Sequence, residues 1–321
     1  ELYDGIPAQK FNILGGVGMS YFSCAYSLFM PVYSLAVTGL SSAVAKMTAE
    51  STALGMYRNA AKVRRTALAL FSAVGLAGSL LILLLAKPFS AYVIGLPEAT
   101  AAVAMIAPAV FFGCITAVER GYYEGLSNMY PTAFSQVAEG FVKALAGLLL
   151  CGFTAAHPRT IMELFPFVTD IRAAAAAAGI LGVTLSTAGA ALFFAVMRLF
   201  AKAPQGGEAY VMSRRAIARE LWATALPVGA SSVVTNLTAL IDMWTVIGCI
   251  SRFGCPSGLP EGVTEAELPR FIYGSFAGIA LTVFNLVPSV TNMLGKGALT
   301  CIAPARGSGD RCGLERSTSQ A

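Results

Sequence analysis

Apolar residues arrive in long blocks, at about 17–45, 67–86, 99–118, 132–151, 173–197, 222–250 and 271–303. Each block has room for the roughly 20 helical residues that cross a bilayer. Only helices and closed barrels satisfy their backbone polar groups in hydrocarbon, so the pattern predicts an all-α, polytopic membrane helix bundle of about seven transmembrane helices. An odd number places the two termini on opposite sides.

The polar connections orient the bundle. Those after the first, third and fifth blocks carry Arg58, Lys62, Arg64, Arg65, then Arg120, then Arg198, Lys202, Arg214, Arg215 and Arg219. The tail adds Arg306, Arg311 and Arg316, whereas the opposite face holds only Lys10, Lys87, Arg159, Arg172, Arg252 and Arg270. Basic loops stay cytoplasmic, which predicts an outside N-terminus and a cytoplasmic C-terminus in the plasma membrane. The opening ELYDGIPAQKFNIL lacks the basic start and apolar core of a signal peptide. A preceding helix is therefore expected before residue 1, and the Gly/Ser-rich tail APARGSGDRCGLERSTSQA is either a true tail or part of a cytoplasmic loop.

Composition agrees with the pattern. Hydrophobic residues make up 56% and charged residues 12% of the 321, and mean hydropathy is +0.69, against about 25% charged residues in a soluble domain. The seven cysteines show no metal-ligand spacing, and His157 is the only histidine, so no metal site is expected. A Cys249–Cys255 bridge requires that both lie on an oxidising face. Without a nucleophile, metal or phosphate-loop motif, neither an enzyme nor a cofactor is expected, and no partner nucleic acid is implied. The Asn236-Leu237-Thr238 sequon falls inside an apolar run and reads as helix interior.

Small residues four apart let helices approach closely, which marks Gly274 with Gly278, and Gly182 with Ser186 and Ala190. Pro31, Pro108, Pro227 and Pro288 fall inside apolar runs, where proline removes a backbone donor and bends or breaks a helix. Interrupted helices around a central cavity are a feature of transporters.

Charges inside or beside the blocks carry the remaining information. Lys46 and Glu50 are one helical turn apart and either pair or snorkel to the headgroups. Asp242 lies far from the ends of its block and needs a partner or a water-filled cavity. SNMYPTA, 127–133, reads as a turn with proline in the first helical turn, making blocks three and four a tight hairpin. Glu119, Arg120 and Glu124 then fall at its cytoplasmic rim, explained by solvent alone, while Glu139 and Lys143 share a helix face and are expected to form a buried or cavity-lining ion pair.

The run YSLFMPVYSLAVTGLSSAVAKMTAES, then ALGMYRNAAKVRR, and above all RGYYEGLSNMYPTAFSQVAEGFVKA, resemble the stage V sporulation protein B branch of polysaccharide and lipid-linked oligosaccharide flippases. These belong to the multidrug/oligosaccharidyl-lipid/polysaccharide exporter superfamily. The resemblance covers roughly residues 15–300, and ALPVGASSVVTNLTALIDMW looks like the family's first helix of the second lobe. It implies two helical lobes around a cavity that opens alternately to either side. Residues 1–202 would be the first lobe lacking its first helix, 203–220 a cytoplasmic basic linker, and 221–321 the start of the second lobe, truncated. It also implies a lipid-linked saccharide as substrate, membrane lipids as surroundings and a coupling ion as a further partner. Lys46, Arg120, Gln136, Glu139, Lys143, Asn236 and Asp242 would line the cavity, its cations serving as phosphate partners.

Two other readings compete. A cation-coupled multidrug antiporter of the same superfamily would use Asp242 and Glu139 to exchange ions, and a net anionic cavity would favour it. A seven-helix receptor or photoprotein would use Lys296 in the last block, but Trp222 and Trp244, both on the preceding block, offer little aromatic pocket.

Overall fold

The computed structural model describes residues 15–158, 170–200, 212–253 and 268–284. Its elements in chain order are α1 (Gly15–Ala53), α2 (Tyr57–Pro88), α3 (Thr100–Gly125), α4 (Tyr130–Ala156), α5 (Ile171–Phe200), α6 (Arg214–Phe253), α7 (Leu268–Ser275) and α8 (Leu281–Phe284). A π turn, Phe89–Val93, extends α2, and another, Phe276–Ala280, joins α7 to α8. Among the described residues the chain is entirely helix and connection.

Five of these helices are long and apolar enough to cross a membrane, α1 to α5. This is a multi-pass membrane protein. The sixth block forms the 40-residue α6 outside that group of five, taking in residues 214–220 of the expected linker. The seventh block is described as far as Phe284. The opening stub, Pro288, Lys296, Cys255, Cys301 and Cys312 lie outside the described residues.

The helices overrun the apolar blocks, most clearly at the basic end, where α1 continues to Ala53, α2 begins at Tyr57 and α3 continues to Gly125. Hydrocarbon accounts for about 30 Å, and a helix climbs 1.5 Å per residue, so the extra turns project into the headgroups and beyond. Pro31, Pro108 and Pro227 lie inside α1, α3 and α6, which run through them as continuous helices. Proline therefore breaks none of these three helices.

α1 is the hub. It packs on α3 and α6, and also on α2 and α7, while α5 packs on α3 and α4. Its own buried side chains, among them Tyr21, Leu40 and Val44, join the core that takes in Val103, Ile106 and Val110 of α3. The α1–α3 contact depends on small residues. Gly113, Ala117, Gly121 and Gly125 repeat every fourth position of α3, and a Cβ on Gly121 or Gly125 would strike the α1 backbone at Ser41 or Ala45. The four-residue spacing of this stripe is visible in the sequence, but only the packing shows which helix it meets. The expected Gly182 stripe is confirmed: a Cβ on Gly182 would strike Gly147 of α4, and Ser186 and Ala190 are buried. Gly274 is buried on α7, a helix that packs against α1.

α4 is the least enclosed span. Phe134, Val137, Phe141 and Leu148 are exposed along it, the apolar surface that lipid covers.

Candidate functional site

The site is assembled by the α3–α4 turn. Leu126 N–H donates to the carbonyls of Tyr122 and Tyr123, Ser127 takes a positive φ of 57°, and Asn128 Oδ1 accepts from Tyr130 N–H. Pro131 then occupies the first turn of α4, as the sequence predicts. Beyond this turn the two helices diverge, with α4 packing on α5 and barely on α3. The hairpin is tight in chain length only, and polar contacts join its arms.

Arg120 makes those contacts. Its Nη2 donates to Glu139 Oε2 at 2.7 Å and its Nε to Ser135 Oγ at 3.0 Å. Ser135 Oγ donates in turn to the Thr132 carbonyl at 2.8 Å. The Arg120 and Glu139 side chains are only 14% and 12% exposed, so the pair is a buried clip between α3 and α4. This corrects the expected Glu139–Lys143 pair. A lysine ammonium one turn along the same helix offers a single point charge, whereas the guanidinium fork on α3 serves Glu139 and Ser135 together. Lys143 is half-buried and has no ion-pair partner among the described residues.

The neighbouring residue turns the other way. Glu119 is 3% exposed, and its Oε2 lies 2.6 Å from Arg64 Nη2 on α2. The Arg64 guanidinium sits 4.7 Å from the Tyr122 ring centroid and 5.8 Å from that of Tyr123, in cation–π range. Solvent alone therefore explains neither Glu119 nor Arg120: α3 carries them past the hydrocarbon but into contact with α2 and α4. Arg64 was seen in the sequence only as a loop charge. Its pairing was illegible because the partner lies on a different helix.

α1 carries a run of stacked aromatic side chains, of which Phe29 is buried in the core while Phe22, Tyr26 and Tyr33 are partly buried. Phe22, Tyr26, Phe29 and Tyr33 form an aromatic ladder, with centroids 5.0 Å apart for Phe22–Tyr26 and 4.8 Å for Phe29–Tyr33.

The other expected site residues make none of these contacts. Lys46 and Glu50 are 3.9 Å apart and more than half exposed, a loose surface pair. Gln136 is exposed on α4 and Asp242 on α6. Asn236 donates to the Ser232 carbonyl of its own helix at 2.7 Å, so the sequon is helix interior. No group of three or more His, Cys, Asp or Glu able to hold a metal occurs among the described residues.

No family model matches the chain. Over 132 residues, 41% of this chain and 26% of the relative, it is 27% identical to stage V sporulation protein B of Bacillus subtilis (strain 168). Over 144 residues, 42% of this chain and 26% of the relative, it is 24% identical to the lipid II flippase MurJ of the same organism. The matched part thus spans about a quarter of either curated relative. A solved multidrug resistance MATE family transporter of the MOP superfamily, in an inward-facing conformation, superposes on 96% of this chain and 65% of its own with a TM-score of 0.57 at 18% identity. The helix bundle described above has that transporter's fold.

Proposed function

We propose that this chain belongs to a flippase that moves a polyprenyl-linked saccharide, a precursor of cell wall or surface polysaccharide, across the plasma membrane by alternating access. Residues up to 202 supply one lobe, the basic stretch 203–220 is a linker and α6 opens the second lobe. The supporting observation is the coincidence, in one chain, of an exporter fold with sequence similarity to a lipid II flippase. The role is transport rather than catalysis.

Charge favours a phosphate-bearing substrate over a drug cation. Arg120 neutralises Glu139, and Lys143, half-buried on α4, is a cation with no ion-pair partner among the described residues. The partly buried Phe22, Tyr26 and Tyr33 of α1 supply apolar contact, and a coupling ion drives the cycle. The antiporter reading keeps one specific support, the multidrug transporter whose fold the chain shares.

The test is reconstitution of the protein in vesicles with a fluorescent polyprenyl-diphosphate saccharide. The headgroup should become accessible to a membrane-impermeant quencher faster than in protein-free vesicles. Equal rates, with accelerated efflux of a cationic dye, would replace this reading by the antiporter.

A further inference from the structure

Between α2, α3, α5 and α6 lies a cavity of about 1370 Å³ at the basic end of the bundle. Its wall carries Arg58, Lys62, Arg64 and Arg65 from the start of α2, Arg198 from the end of α5, and Arg214 and Arg215 from the start of α6. Among the described residues none of its lining is acidic. The nearest carboxylate of the site described above, Glu119, is already engaged by Arg64, whose buried Nε still has no hydrogen-bond partner among the described residues. Seven cations around one cavity repel each other, and two helix N-termini, those of α2 and α6, add positive potential. An anion relieves all of these terms together.

The cavity also has an apolar exit. Leu68, Leu70 and Ala73 line it, and Ala69 and Ala73 lead along one face of α2 to Leu76, Leu80 and Leu84, which are exposed. That face is where lipid chains run. A free soluble phosphate would use the cations and gain nothing from this track. A phosphate with acyl or prenyl chains would use both.

From this we infer that the cavity is a binding site for an anionic lipid headgroup from the leaflet at the basic end, held through its phosphate between α2 and α6. The site is separate from the Arg120–Glu139 clip and independent of the transport reading. A bound headgroup would join the start of α6 to α2 by charge-assisted hydrogen bonds.

The test measures binding of fluorescent phosphatidylglycerol to the purified protein in detergent, with phosphatidylcholine and soluble glycerol phosphate as competitors. Each Lys or Arg near an anionic lipid contributes about fivefold. Joint replacement Arg58→Gln, Arg214→Gln and Arg215→Gln should therefore weaken binding roughly a hundredfold. The charge-matched control Lys87→Gln, Arg219→Gln and Arg252→Gln, outside the lining, should bind within about twofold of the parent. If the triple pocket variant does not fold, the single change of the exposed Arg215→Gln should still weaken binding about fivefold. Equal losses in both triple variants, displacement by phosphatidylcholine, or displacement by glycerol phosphate at the lipid's own concentration would each overturn the proposal, the last by assigning the cavity to a soluble phosphate.

Discussion

Arg120 and Glu139 meet at 2.7 Å across two helices that make few other direct contacts, so this ion pair is a principal direct link between α3 and α4 beyond their turn. Removing one partner strands the other charge in a nearly dry site, whereas removing both leaves an apolar seam. Arg120→Leu or Glu139→Leu alone should lower stability by about 3 kcal/mol, and the double replacement should recover most of that. Thermal unfolding of all three in detergent checks the cycle; additive losses would mean that the two side chains do not act as a pair.

Arg64 and Glu119 form the matching clip between α2 and α3, with Tyr122 and Tyr123 against the guanidinium. Glu119→Ala should cost about 3 kcal/mol, and Tyr122→Leu about 1 kcal/mol through the lost cation–π contact. The measurement is again thermal unfolding. An unchanged midpoint for Glu119→Ala would return this residue to the solvated rim where its sequence position first put it.

Glycine substitutions separate packing from propensity. A methyl at Gly121 meets the α1 backbone at Ser41, but at Gly140 on α4 it meets open space. Gly121→Ala should destabilise by about 1–3 kcal/mol through overpacking, and Gly140→Ala should stabilise by up to about 1 kcal/mol through helix propensity. Midpoint shifts of the same sign for both would contradict the close α1–α3 approach.

Much of the fold was legible because bilayer thickness imposes a block length that any reader of the sequence can count. Blocks 17–45, 67–86, 132–151, 173–197 and 222–250 lie inside α1, α2, α4, α5 and α6, and 99–118 lies inside α3 but for its first residue. The helix ends were less legible, since polar turns such as 46–53 and 57–66 carry no apolar signal yet continue the same helices. At the site, the local spacing of Glu139 and Lys143 was visible and misled. Glu139's actual partner is 19 residues away on another helix, and sequence spacing cannot rank partners across a helix–helix contact. The turn at 126–130 was read correctly, because Asn and Pro chemistry there is local.

Orientation follows from loop charge and has its own test. In intact cells Cys255 should react with a membrane-impermeant maleimide, and Cys312 only after permeabilisation. Cys24, Cys114 and Cys151 are buried and should stay unlabelled in the folded protein. The opposite pattern for Cys255 and Cys312 would invert the bundle and place the basic end outside.

Lys143 separates transport from architecture. Since Glu139 is already neutralised by Arg120, deleting the Lys143 charge strands no carboxylate, and keeping a half-buried ammonium near hydrocarbon costs energy. Lys143→Leu should therefore fold with unchanged or slightly raised stability. If the ammonium receives the substrate's phosphate, that same variant should lose flipping by tenfold or more, roughly the 1.4 kcal/mol or greater expected of one charge-assisted contact. Lys143→Arg should keep a large part of the rate because it keeps the charge. Quencher accessibility in vesicles, measured beside thermal stability for both variants, decides the matter. A stable Lys143→Leu protein that flips at the parent rate would show that this lysine merely reaches for the headgroups, and that phosphate recognition lies elsewhere in the bundle.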